Sequence, residues 1–208
     1  MFKAKSARSL APHVVDASEE QLSLHLKTFI RNSSLLMEAY EAGRSLNLAD
    51  YWLTSGAIYQ SLWNSLTQRP EGYGLKDIDL IYFDEDRSWA AENHVIETIA
   101  AKTSHLPVEV EIKNQARVHL WFQEKFGSPY PKLKSATQSL LYYAALTHSV
   151  AFTVACDGSI KIAAPFGLRR IYAMRMEPNH TLDNHDTYKR KCARMARLWP
   201  ELQCLPWD

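Results

Sequence analysis

Apolar residues recur at helical spacing through the first third of the chain. Ser18-Glu-Glu-Gln21 reads as a capping box, and Leu22, Leu26, Phe29 and Ile30 follow on one helical face. Ser33 or Ser34 can cap a second helix through Leu35, Leu36, Ala39 and Tyr40, stopped at Gly43. Tyr51 to Gly56 reads as a short strand breaking into a turn, and Ile58, Leu62, Trp63 and Leu66 mark a helix that Arg69-Pro70 ends. The period then changes. Lys76 to Phe83 is expected to be a strand, Ser88 to cap a helix through Val95, Ile96, Ile99 and Ala100, and Pro107 to Ile112 to be a strand of clean alternation. Helices are expected over 114–125, closed by Gly127, and over 135–147. Val150 to Ala155 and Ile160 to Ala163 predict a hairpin about Asp157-Gly158. A last helix sets Tyr188, Cys192, Met195 and Trp199 on one stripe and Arg190, Arg194 and Arg197 on another. The pattern predicts a flexible tail over 1–17 and one domain over 18–208.

Composition narrows the chemistry. A chain of 208 residues with 46% apolar content can bury a core without staples, and a net charge of +1 gives no field suited to long duplex DNA. Three cysteines, odd in number and without a CxxC pair, argue against a disulfide framework or zinc cluster and point to a reducing cytoplasm. No stretch reads as a signal peptide or membrane span. The 7 glycines form neither GxxxxGK[ST] nor GxGxxG, so a phosphate ligand needs another cradle.

Two strands supply candidate chemistry. Asp77 and Asp79 are two apart and share a face, opposite Ile78 and Leu80; Glu109 and Glu111 repeat the arrangement opposite Val108, Val110 and Ile112. Adjacent strands of this kind gather carboxylates that repel one another unless a cation neutralises them. Hard oxygen donors at that density suit Mg²⁺ or Mn²⁺. The plain alternative is the solvated face of a sheet. Upstream, Thr54-Ser55-Gly56 leads a strand into a helix whose N-terminal N–H groups form an anion site, with Gly56 allowing close approach.

A strand ending in a small Gly turn, a helix, a strand with Asp-Ile-Asp and a later strand with a third acid resembles the DNA polymerase beta-like nucleotidyltransferase superfamily, in a bacterial branch of unknown function. Ser55-Gly56-Ala-Ile, Leu62-Trp63-Asn64, Lys76-Asp-Ile-Asp79, Glu111 through Trp121, Glu124-Lys-Phe-Gly127, Ala164 through Leu168, Glu177-Pro-Asn179 and Trp199-Pro-Glu-Leu202 carry the resemblance. It covers most of the chain from about Leu48 onward. Ala57 after the glycine, Tyr59-Gln60 after the turn and Arg169-Arg170 after Gly-Leu depart from the usual pattern.

The resemblance implies an α+β fold, a small mixed sheet carrying clustered carboxylates and flanked by helices. It implies a divalent-metal-dependent nucleotidyltransferase that moves an NMP from a nucleoside triphosphate to a small-molecule, protein or RNA hydroxyl. Asp77, Asp79 and Glu111 are then the catalytic and metal-binding set, with Glu111 chosen over Glu109 by family register. Ser55, Gly56, Lys113 and Arg117 are the nucleotide-binding set. A catalytically silent nucleotide-binding or interaction module is the alternative.

Other residues read more plainly. Lys113, Asn114 and Arg117 could reach phosphates or the base; read plainly, Asn114 caps a helix and the cations pair with nearby acids. His119 suits a core position, and Trp52, Trp63, Trp121 and Trp199 lie on apolar stripes and read as core. Arg169 and Arg170 suit either an anion clamp or a solvated turn, and the basic face of the last helix suits solvent.

Overall fold

The computed structural model describes residues 16–208. Of the tail expected over 1–17, residues 1–15 lie outside the described residues, and the Ala17 carbonyl accepts from Arg169 Nη2 at 2.8 Å.

Helices α1 (Glu19–Asn32) and α2 (Ser34–Arg44) open the described chain. Both halves of the Ser18/Gln21 capping box form, and Ser33 caps α2 through the Leu36 N–H. Such a cap is worth about 1 kcal/mol. Strand β1 (Trp52–Thr54) runs into α3 (Gly56–Leu66), followed by β2 (Asp77–Tyr82), α4 (Trp89–Thr103) and β3 (Glu109–Asn114). Then come α5 (Val118–Phe126), β4 (Ala151–Val154), β5 (Ile160–Ala163) and a single helical turn, α6 (Arg169–Tyr172). Strand β6 (Arg175–Met176), α7 (His185–Leu198) and β7 (Gln203–Cys204) complete the fold.

The main sheet has the order β3-β2-β1-β4-β5. Only β2 and β3 are parallel, joined by the α4 crossover; the other pairs are antiparallel, which makes the sheet mixed. Alternation sends Ile78, Leu80, Val110 and Ile112 into the core with Ile58, Leu62 and Ile99. The acids of β2 and β3 stand on the opposite side of the pleat. The expected α+β architecture is what the chain forms, and no described helix is long and apolar enough to cross a membrane.

The helix expected over 135–147 does not form. Its place is taken by two 3₁₀ segments, Thr137–Tyr142 and Leu146–His148, with an extended residue, Tyr143, after the first. Side chains from later in the chain claim its carbonyls: Asn179 Nδ2 donates to Leu141 O and Tyr143 O at 2.8 Å, and Asn184 Nδ2 to Tyr142 O at 3.3 Å. Likewise α5 begins at Val118, not at 114, because Asn114 belongs to β3 and its side chain clasps the loop after β2.

The aromatic residues sort unevenly. Trp63 and Trp199 are fully buried and meet edge to face at 5.5 Å. Trp63 Nε1 donates to Ile171 O at 2.8 Å, and Trp199 Nε1 to Asn64 Oδ1 at 3.1 Å. Trp52 and Trp121 are only half-buried, contrary to the core expectation for both.

Candidate functional site

Parallel pairing places Asp77 opposite Glu109 and Asp79 opposite Glu111, so the acids of two neighbouring strands share one face. Among the described residues, nothing donates a hydrogen bond to the Asp77 or Asp79 carboxylate. Burial first, then the charge of Asp77, pushes the Asp79 pKa up to about 6 against the pull of Lys113 and Lys191. Two crowded carboxylates without donors have the chemistry that a hard divalent cation relieves.

The third acid is differently placed. Glu111 accepts a close hydrogen bond from Lys113 Nζ. Burial pulls the Lys113 pKa down, but the bond to Glu111 and the nearby aspartates outweigh it and leave the pKa raised. Among the described residues no three His, Cys, Asp or Glu side chains gather into a ready cation cage. Glu109 is exposed at the start of β3.

The turn before α3 differs from expectation in a specific way. Ser55, not Gly56, carries the positive φ (φ 58°, ψ −118°), and Gly56 is the first residue of the helix. That backbone region favours glycine, so Ser55 is strained. Its N–H donates to Val150 O at 2.7 Å, which ties the turn to β4, and its hydroxyl caps nothing in the helix. A Cβ on Gly56 would meet Gln60 Nε2 at 2.8 Å, the end of a flexible side chain. The first N–H groups of α3 remain without intrahelical acceptors, as at any helix start.

Ser55 and Asp79 line a cavity of about 230 Å³ together with Lys113, Trp121, His148 and Lys191. His148 is buried, stacks on Tyr59 at 5.0 Å and 13°, and is held neutral by burial and by Lys191. Lys191 reaches the cavity from α7, solvated on one side but crowded enough to lower its pKa despite Asp79 and Asp77. Neither residue was anticipated. For Lys191 a signal existed: it lies three residues after Tyr188 and four before Met195, the two buried residues of α7. For His148 none did: it falls between the helix read over 135–147 and the strand read from Val150.

Arg117 is placed elsewhere. Its Nε lies 2.6 Å from Glu92 Oε2 on α4, its guanidinium packs over the Trp89 ring, and it is not among the cavity-lining residues. Glu92 also accepts the Asn114 N–H at 2.9 Å, so this buried carboxylate is satisfied from two sides. Gly56, Asp77 and Glu111 also stand outside the lining set, whereas Ser55, Asp79 and Lys113 lie within it. His119 is half-buried, with Nδ1 enclosed and unpartnered. Arg169 and Arg170 hold the fold: the Leu168 and Arg169 N–H groups donate to the Glu19 carboxylate at 2.8 and 3.2 Å, and Arg170 pairs with Glu177 at 3.3 Å.

An NMR structure described as a CCA-adding enzyme head domain superposes with a TM-score of 0.71 at 22% identity, over 92% of this chain and 99% of that one. It shares the fold. A tRNA-processing enzyme in an apo form and a CCA-adding enzyme in complex with ATP overlap less, with TM-scores of 0.47 and 0.42 at 12% identity. They cover 80% and 93% of this chain but only 44% and 42% of their own. Among curated proteins no relative matches. A family model described as Nucleotidyltransferase matches residues 41–204, most of the chain, and the chain belongs to that family.

Proposed function

We propose that the protein is a divalent-metal-dependent nucleotidyltransferase. The observation that carries this reading is the placement of Asp79 at the cavity, beside Asp77 on one strand and Glu111 on the next, with the Ser55 turn lining the same space. Asp77 and Asp79 would hold Mg²⁺ or Mn²⁺, and Glu111 is the third candidate ligand. When bound, the ion supplies positive charge to the phosphate oxygens and lowers the pKa of an acceptor hydroxyl.

The chain's own groups do the positioning. The N-terminal N–H groups of α3 face incoming phosphate oxygens, and Ser55 adds a hydroxyl at the same point. Lys113 and Lys191 bring cationic charge to the side of Asp79, offsetting the triphosphate. The acceptor oxygen attacks the α-phosphorus, the bond to the bridging oxygen breaks, and pyrophosphate leaves with the electron pair. Arg117 acts only indirectly, by fixing the end of β3 against α4.

The test is label transfer from each α-labelled NTP into a metabolite and RNA extract, with wild type and Asp77→Asn. Label should move from at least one NTP in the wild type, only with Mg²⁺ or Mn²⁺, and not in the variant. Equal transfer by both proteins overturns the mechanism. No transfer, combined with thermal stabilisation by nucleotide in the absence of metal, leaves the silent binding module instead.

A further inference from the structure

The cavity that holds Asp79 is lined by two unlike sets of side chains. One is charged: Asp79, with the positive charge of Lys113 and Lys191 near it. The other is a run of rings: Phe122 lies 4.6 Å from Phe126 and 4.5 Å from Tyr130, and Tyr130 meets Tyr142 edge to face at 5.4 Å. Trp121 flanks them, 6.2 Å from Phe122. Phe126 remains 47% exposed even though it lines the cavity.

Charge and shape together select the occupant. A lipid tail or an apolar peptide segment would cover the rings but make no use of Lys191 or of the acids beside it. The matching ligand is flat and aromatic at one end and polyanionic at the other. The volume of about 230 Å³ is below the roughly 300–1,000 Å³ of pockets that enclose a whole drug-sized ligand. It therefore suits one end of such a molecule, with the remainder in the open cleft.

Resting on the nucleotidyl-transfer reading above, we infer that the wall formed by Phe122, Phe126 and Tyr130 is the subsite for the nucleobase, and that it recognises ring area by stacking. Stacking is indifferent to the donors and acceptors on a base edge, because every base presents a π-face. Purines therefore bind ahead of pyrimidines, and adenine and guanine are poorly told apart. Phe122 and Phe126 are specificity-determining residues on this account.

The experiment is calorimetric binding of ATP, GTP, CTP, UTP and inorganic tripolyphosphate in Mg²⁺, with wild type, Phe122→Leu and Phe126→Ala. Phe126→Ala changes a half-exposed residue, and Phe122→Leu keeps a large apolar side chain while removing the ring, so circular dichroism should match wild type for both. Wild type should bind ATP and GTP within about threefold of each other and roughly tenfold tighter than CTP or UTP. Tripolyphosphate should bind more weakly still. Each variant should lose most of the purine advantage while its tripolyphosphate affinity stays put. Tight ATP binding that both variants retain in full, or equal affinity for ATP and tripolyphosphate, overturns the base subsite and leaves nucleotidyl transfer standing. Absence of any nucleotide or tripolyphosphate binding overturns both.

Discussion

The Ser55 N–H and the Val150 carbonyl meet at 2.7 Å, and this bond fastens the turn before α3 to the segment entering β4. It holds Ser55 at φ 58°, ψ −118°, a conformation that an L-residue adopts at a cost of order 1–3 kcal/mol.

Ser55→Gly should therefore stabilise the protein by about 1 kcal/mol, the relief of strain exceeding the entropy glycine adds to the unfolded chain. Ser55→Val should destabilise it, since a β-branched side chain tolerates positive φ least. Urea unfolding measures both. If serine and glycine variants unfold at the same midpoint, the turn is not strained.

Asp79 gives a pH signature. Its pKa is raised to about 6 in the folded state from an ordinary value of 3.8, so the folded protein binds the proton more tightly than the unfolded chain does. Stability from this group is full below pH 4 and is lost as pH rises through about 6. With a discount for the solvent open to the cleft, the loss is about 1–2 kcal/mol. Asp79→Asn should abolish that loss and leave the metal-free protein more stable at pH 8. Mg²⁺ or Mn²⁺ should stabilise wild type at pH 8 but not the variant. Chemical denaturation at pH 5 and pH 8 tests this, and an identical pH slope in the variant contradicts it.

The third carboxylate can be settled by comparison. Glu111→Gln should lower nucleotidyl transfer by about 100-fold or more, whereas Glu109→Gln, at the exposed start of β3, should change it by less than about threefold. Steady-state label transfer decides. The reverse ranking would move the site one row along the sheet.

Asn64 joins three parts of the fold. Its Oδ1 accepts from Trp199 Nε1 at 3.1 Å and its Nδ2 donates to Tyr73 O at 2.9 Å. Asn64→Ala would strand a buried indole N–H and a carbonyl, at a cost of about 2–4 kcal/mol. Asn64→Asp should recover the indole bond only. A shift in urea midpoint worth less than about 0.5 kcal/mol would show that water replaces the amide.

Much of the acidic face was readable from residues two apart, since strand alternation is a local rule. The pairing of Asp79 with Glu111 follows once α4 returns the chain parallel to β2, and the Ser18 box and the Asp157-Gly158 hairpin are likewise local. The misses are all contacts between distant segments. Helical spacing over 135–147 gave way because Asn179 and Asn184 take the carbonyls a helix would use. Arg117 could be read as reaching phosphate or as pairing with a nearby acid, and which acid is nearby depends on the α4 packing, which supplies Glu92. The turn was read through its glycine, whereas the bond to Val150 loads the unusual φ onto Ser55. Lys191 drew no reading of its own, because the last helix was weighed by its arginine face ahead of the place of Lys191 between Tyr188 and Met195.

Helix α7 supplies the Lys191 side of the cavity and is followed at once by Trp199, which slots against Trp63. One wall of the site is thus built by residues made more than a hundred positions after Asp79. During synthesis the chain can close its five-stranded sheet and still present only half a cleft to nucleotide. Competence would then arrive in a single late event, when the tryptophan edge closes, so that an incomplete chain on the ribosome exposes the acids without the means to use them.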